Sequence, residues 1–230
     1  MLYRAVKRLL DVFLSVFAMI VLSPVFIVAI IGIKLSSPGP AVFKAKRIGL
    51  HGNIFTMYKF RSMYLNSDKA HIITLRTDSR IFPFGKFIRK SKIDELPQLI
   101  NILKGDMSIV GWRPEAEEYI DKIFVGKYKG ILSVKPGLTS PGSLYDYTHG
   151  EAFDNEEEYN KFFLPKKLEL ELYYVNNQSF IYDVKLIIKT VVTIVLILFG
   201  KKEFAIPKEV TYIDGTSGVL GHGKNKNTIS

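Results

Sequence analysis

Cysteine is absent from the 230-residue sequence, which removes a disulfide framework, a thiolate metal site and a cysteine nucleophile together. The absence also fits a reducing compartment. Histidine is scarce: His51, His71, His149 and His222 lie far apart, without HExxH-like spacing, so a histidine metal site has no support. Negative charge is in short supply as well. Against 32 Lys and Arg stand 22 Asp and Glu, a formal net charge of +10. That balance favours phosphate-rich partners: nucleic acid, an anionic membrane surface or a phosphorylated small molecule. No recognition helix, RNP-like aromatic pattern or zinc module accompanies the charge, which argues against nucleic acid. There is no internal repeat. A composition of 47% hydrophobic and 23% charged residues is that of a folded chain rather than a disordered one.

Polar residues are nearly missing from Leu9 to Ile33, where only Asp11, Ser15, Ser23, Pro24 and Gly32 interrupt an apolar run. A straight helix of that length reaches ~37 Å, more than the ~30 Å hydrocarbon core of a bilayer. Two details favour a hairpin over a simple span. Positive charge flanks both ends (Arg4, Lys7 and Arg8 before; Lys34, Lys44, Lys46 and Arg47 after), and a basic flank belongs in the cytoplasm. Ser23 and Pro24 stand near the middle, where proline removes a backbone N–H and bends a helix; the Ser23 hydroxyl can serve one freed backbone group. A bitopic helix with an incidental proline is the alternative. A cleaved signal peptide fits less well, because the run is too long and no A-x-A-like site follows.

Beyond the breaker cluster Ser36–Pro40, residues 41–63 read as two short strands around a turn at Gly49–Asn53. Leu96, Leu99, Ile100 and Leu103 at i, i+3, i+4 and i+7 predict a helix within 92–104, closed by Lys104 and Gly105. Lys135–Gly137 and Ser140–Gly142 are expected to bracket a loop. Residues 151–175 read as helical, residues 184–199 as an amphipathic helix on a membrane or in the core, and 66–80 as loop or short helix.

Ser91–Leu99 carries the most chemistry. Pro97 belongs in the first turn of a helix, so the helix should begin near Ile93–Glu95. Asp94 and Glu95 then stand at its N-terminus, where free N–H groups favour anions. Asp94 could be a nucleophile toward phosphorus and Glu95 a magnesium ligand; equally, an Asp N-cap with Glu in the first turn is ordinary helix punctuation. Arg76, Arg80, Lys86, Arg89, Lys90 and Lys92 crowd upstream, with Lys59, Arg61 and Arg113 elsewhere. These can bind phosphate or form a solvated basic face toward anionic lipid. Gly111–Pro114 would present Arg113 on a tight turn, with Trp112 as aromatic wall, interfacial anchor or core.

These residues resemble the monotopic bacterial sugar transferases, the polyprenyl-phosphate phosphoglycosyltransferases. The likeness rests on the Ser-Pro-broken N-terminus, Tyr58–Met63, Asp94–Leu99 continuing through Asn101 to Lys104–Ser108, and Val110–Pro114, in the family's order over roughly residues 1–195. It implies a fold of the α/β class, mixed and mostly helical with a small β-hairpin, in a single membrane-associated domain with a re-entrant N-terminal helix. The expected divisions are a membrane helix–break–helix at 1–35 with the break at Ser23 and Pro24, a catalytic domain at 36–199 and a polar tail at 200–230. The implied reaction transfers a sugar 1-phosphate from a nucleoside diphosphate sugar, with uridine the favoured base, to a polyprenyl phosphate through a covalent phosphosugar on Asp94. Glu95 is the implied magnesium ligand, and Lys59, Arg89 and Arg113 the implied phosphate-binding residues. The implied place is the cytoplasmic face of a bacterial inner membrane, among its lipids, with room for a homodimer. A non-catalytic scaffold binding anionic lipid and a hydrolase passing the phosphosugar to water are the rivals. Two departures stand out: Gly111-Trp112-Arg113-Pro114 replaces the family's common Gly-Pro-Arg-Pro, and Pro136-Gly137-Leu138-Thr139-Ser140-Pro141 replaces Pro-Gly-Ile-Thr-Gly-Trp.

Overall fold

The computed structural model describes residues 2–65, 78–150 and 156–210. Arg76, the 66–77 part of the expected loop, the start of the 151–175 segment and the tail beyond 210 lie outside these residues. The architecture is mostly helical with two small sheets, as the α/β reading expects.

The chain opens with α1 (Leu2–Val21) and α2 (Ser23–Ser36), which bend by 62° at Leu22. The break falls where the Ser-Pro pair predicts it. Pro24 has no N–H to give the carbonyl of Ile20, four residues back, and the Ser23 hydroxyl donates to that carbonyl instead at 2.8 Å. No single described helix is long and apolar enough to cross a bilayer; only α1 and α2 taken together reach that length and composition.

Helix α1 begins at Leu2, within the expected 1–35 segment, and is amphipathic in an unusual sense. Leu2, Val6, Leu9, Phe13, Phe17 and Ile20 form an exposed apolar stripe. The opposite face, toward the protein, is polar. Lys7 and the Tyr3 hydroxyl both reach Asp183, Arg8 donates to the carbonyls of Ile102 and Leu103, and Asp11 accepts from the Ile109 N–H at 2.9 Å. Lys7 and Arg8, part of the basic flank in the sequence, also fasten the helix to the protein.

The expected hairpin forms from β1 (Val42–Ile48) and β2 (Ile54–Phe60), antiparallel with Val42 opposite Phe60 and Ile48 opposite Ile54. Helix α3 (Pro83–Lys90) follows, then a tight 3-10 turn at Ile93–Glu95 and α4 (Gln98–Lys104). The α-helix proper therefore starts later than predicted, with Pro97 as its N-cap and Gly105, in the left-handed region, closing it. Asn101 fastens α4 to the hairpin: its side-chain amide donates to the Thr56 carbonyl at 2.7 Å and its carbonyl accepts from the Tyr58 N–H at 3.0 Å.

The sequence reading missed a second sheet. β3 (Ser108–Val110) pairs in parallel with β4 (Gly137–Thr139); α5 (Ile120–Ile123) lies between them in sequence. The two chains approach too closely for side chains, since a Cβ at Gly137 would fall 2.1 Å from the Gly111 nitrogen. The expected loop after Gly137 is thus a strand, and Ser140 is the N-cap of α6 (Pro141–His149), accepting from the Ser143 N–H at 2.8 Å. Short α7 (Glu156–Glu158), a π-turn at Tyr159–Phe163 and α8 (Leu164–Asn176) lead to α9 (Phe180–Leu198), which exposes Ile181, Ile188, Val191, Val192 and Val195.

Candidate active site

Asp94 and Glu95 are almost wholly buried, at 6% and 4% exposure. Burying charge is costly unless partners compensate, so the partners define the site. Lys92, just before the pair, has φ +57° and ψ +15°, the left-handed region that costs a residue with a Cβ roughly 1–2 kcal/mol. The 3-10 turn that follows closes through the Glu95 N–H on the Lys92 carbonyl at 3.1 Å. Neither carboxylate caps a helix in the ordinary way: the turn and α4 carry no side-chain cap bond, which removes the helix-punctuation reading.

Arg113 arrives from the other side. β3 and β4 hold the chain through Gly111, and Trp112 turns inward, fully buried against Phe124, its indole N–H on the Val134 carbonyl at 2.9 Å. Trp112 is therefore core, neither wall nor membrane anchor. Its neighbour Arg113 emerges on the opposite face and meets Glu95 through both terminal nitrogens, Nη2 to Oε1 at 2.8 Å and Nη1 to Oε2 at 3.3 Å. Lys59, placed by β2, lies 3.6 Å from the same Oε1. Burial pushes the Glu95 carboxyl up, but Arg113 and then Lys59 hold it well below the usual range. Asp94 differs. Burial raises its carboxyl against the pull of Lys59, while Glu95 adds to the rise and Arg89 and Lys92 oppose it. Its Oδ1 is buried without a hydrogen-bond partner.

The structure thus brings Lys59, Asp94, Glu95 and Arg113 into one cluster. Arg89 on α3 stands at its edge, reaching the Ser62 hydroxyl at 3.5 Å while its charge acts on Asp94. Ser23 and Pro24 belong to the helix break, apart from the cluster. Arg61 is withdrawn from the basic set, because its guanidinium is spent on the chain, donating to the carbonyls of Pro40 and Ser37 at 2.7 Å and to the Ser37 hydroxyl at 2.8 Å. Arg80 pairs with Asp78 at 2.6 Å.

Tyr147 and Glu171 escaped the sequence reading. The Lys92 ammonium rests 3.8 Å from the centre of the Tyr147 ring, and the Tyr147 hydroxyl accepts from Arg113 at 3.3 Å and faces Glu95 at 3.4 Å. Glu171 of α8 accepts from the Arg113 backbone N–H at 3.1 Å and from the Ser140 hydroxyl at 2.8 Å; burial lifts its carboxyl from 4.5 to about 7. Arg47, read as a membrane flank, also acts electrostatically on Lys59. The one available signal was Ser140-Pro141, an N-cap followed by proline at a helix start.

Asp94 and Glu95 offer hard oxygen donors. No group of three His, Cys, Asp or Glu side chains able to hold a metal ion occurs among the described residues. Magnesium usually takes one or two carboxylates and completes its shell with phosphate oxygens and water, so this donor set fits the ion on those terms.

Comparison with known proteins places these observations. A family model described as bacterial sugar transferase matches residues 2–196. The chain is 37% identical over 198 residues to a UDP-N-acetylgalactosamine-undecaprenyl-phosphate N-acetylgalactosaminephosphotransferase of Aeromonas hydrophila, covering 84% of this chain and 44% of that protein. It is 37% identical over 193 residues to a UDP-glucose:undecaprenyl-phosphate glucose-1-phosphate transferase of Xanthomonas campestris pv. campestris, covering 82% of this chain and 38% of the other. An uncharacterized sugar transferase EpsL of Bacillus subtilis is 37% identical over 185 residues, 80% of this chain and 85% of that one. The chain spans less than half the length of the first two relatives.

Proposed function

The chain belongs to the bacterial sugar transferase family, and we propose that it transfers a sugar 1-phosphate from a UDP-sugar to a polyprenyl phosphate through Asp94. The observation that carries this reading is the buried Asp94 Oδ1, unpartnered amid Lys59, Arg89 and Lys92. An oxygen so placed is a nucleophile in waiting. It attacks the sugar-proximal phosphorus; the new O–P bond forms as the bond to the bridging oxygen breaks, and the electron pair leaves with nucleoside monophosphate. A phosphate oxygen of the polyprenyl phosphate then attacks the same phosphorus, forming the diphosphate and returning the electron pair to the Asp94 carboxylate.

Lys59 and Arg113 neutralise charge on the phosphates as it shifts. The Glu95–Arg113 pairing fixes the guanidinium in position, and Tyr147 steadies both. Glu95 would hold magnesium only by giving up part of its pairing with Arg113, and the ion would supply positive charge that offsets repulsion between the donor and the Asp94 carboxylate. The outward apolar stripes of α1 and α9 and the bent α1–α2 pair support a re-entrant attachment to the cytoplasmic face of the inner membrane. There the soluble donor and the lipid acceptor can meet.

The test is intact-protein mass of the purified, nanodisc-held protein after mixing with magnesium and a panel of UDP-sugars, without acceptor. An increase of one sugar phosphate, absent in Asp94→Asn, is expected, and its mass identifies the sugar class. No adduct with any donor, together with no nucleoside monophosphate on adding polyprenyl phosphate, would leave a scaffold. Release of free sugar phosphate instead of lipid product would make the protein a hydrolase.

A further inference from the structure

Among the described residues, one slot with a wholly apolar lining borders the turn that carries Asp94. Between α2 and α3 lies a cavity of about 260 Å³ walled by Pro24, Val25 and Val28 on one side and Phe84 and Phe87 on the other, with Ile93 also lining it. Gly32 allows this geometry: a Cβ there would fall 2.4 Å from the Phe84 ring, so any side chain would push that wall away. No lining side chain can donate or accept a hydrogen bond. A polar or charged occupant is therefore excluded along its length, and an apolar chain is favoured.

The ends of the slot determine which chain. One end opens at Pro24, at the bend between α1 and α2, and its rim residues Val28 and Phe87 are 63% and 54% exposed, continuous with the outward apolar surface of α2. Ile93, which also lines the slot, is covalently next to Asp94, the carboxylate on which the charges of Arg89 and Lys92 act. A molecule filling it needs a single flexible hydrocarbon chain and an anionic phosphate at one end.

We propose that the slot between α2 and α3 holds the phosphate-proximal isoprene units of the prenyl phosphate acceptor and guides its phosphate to the phosphosugar on Asp94. The assignment rests on the acceptor named in the proposed function. It separates the two half-reactions: the nucleotide sugar does not use the slot, and the acceptor does.

The test uses a prenyl phosphate bearing a diazirine on its second isoprene unit, added to the full chain in phosphatidylcholine nanodiscs. Label is expected in peptides carrying Pro24–Ala29 and Phe84–Ile93. Val28→Trp, which fills the slot from an exposed rim position, should cut labelling and raise the acceptor KM by about tenfold or more. Phosphosugar adduct formation should stay within about twofold of the parent. Ile27→Trp, equally exposed on the same helix but outside the slot, should change neither. Label appearing elsewhere, labelling that survives Val28→Trp, or equal competition by phosphatidylglycerol would overturn the assignment; the last would make the slot a general acyl groove. Equal losses in Val28→Trp and Ile27→Trp would also overturn it, as an effect on membrane docking. Label in the slot without any adduct from any donor would instead reject the transfer reaction and leave the binding site standing.

Discussion

Helix α1 and the turn at Lys92–Glu95 both carry charge into the interior, and they use it in opposite ways. Along α1, Lys7, Arg8 and Asp11 are each answered by a named partner on α4, β3 or α9. At the turn, Asp94 keeps an oxygen with no partner, and Lys92 accepts a strained backbone to stand beside it. Buried charge alone therefore does not mark a site, because a fully satisfied polar contact is structure. For a charged group, unspent hydrogen-bonding capacity under burial is what marks one; a neutral hydroxyl such as Ser15 on α1 can lack a partner without marking a site. Arg61 and Arg113 are both fully engaged but differ in what holds them: backbone carbonyls and the Ser37 hydroxyl take up the first, while the Glu95 carboxylate and Tyr147 hold the second inside the site.

Substitutions can test this division. Asp94→Asn should lower turnover by at least about 1,000-fold, while the melting temperature stays level or rises, since a buried carboxyl without a full set of partners is removed. A large fall in melting temperature would place Asp94 with the structural charges. Arg61→Ala should do the reverse, costing about 4 kcal/mol from lost charged hydrogen bonds, or about 8–16 °C, with turnover per folded molecule little changed. Loss of turnover without loss of stability would return Arg61 to the site.

Glu171 lies between the two classes, and its pH dependence can be read by sign. The folded protein holds its proton up to about pH 7, whereas the unfolded carboxyl releases it near 4.5. Between those values the folded state binds more protons, so stability from this group is complete below 4.5 and is lost as pH rises toward 7. The loss is roughly 3 kcal/mol, and Glu171→Gln should flatten that slope in thermal melts across the same window. An unchanged slope would mean Glu171 is ionised in the fold. Ser23→Ala should have the smallest effect, about 1 kcal/mol, by taking the donor from the Ile20 carbonyl; no loss would show that solvent or lipid supplies one.

Local chemistry made much of this legible in advance. The hairpin, the Gly105 cap, the Ser23–Pro24 break and the Asp94–Glu95 motif all follow from residues close in sequence. The misses were tertiary. β3 and β4 have three residues each, too short for an alternating pattern, and exist because Gly111 and Gly137 let two backbones meet. Tyr147 and Glu171 join the site only because α6 and α8 pack beside Arg113. Lys7 and Arg8 carry a charge that reads as a membrane signal, and their fastening role depends on what lies beside α1, which sequence position does not show.

The fastening of α1 has a mechanical consequence. Tyr3, Lys7, Arg8 and Asp11 tie that helix to α4, β3 and α9 at points spread along its first three turns, leaving no slack link between the outward apolar stripe and the catalytic turn. In the membrane-attached arrangement proposed above, the depth at which the stripe settles would set the height of Asp94 over the lipid, so the thickness of the layer beneath would become part of the tuning of the site.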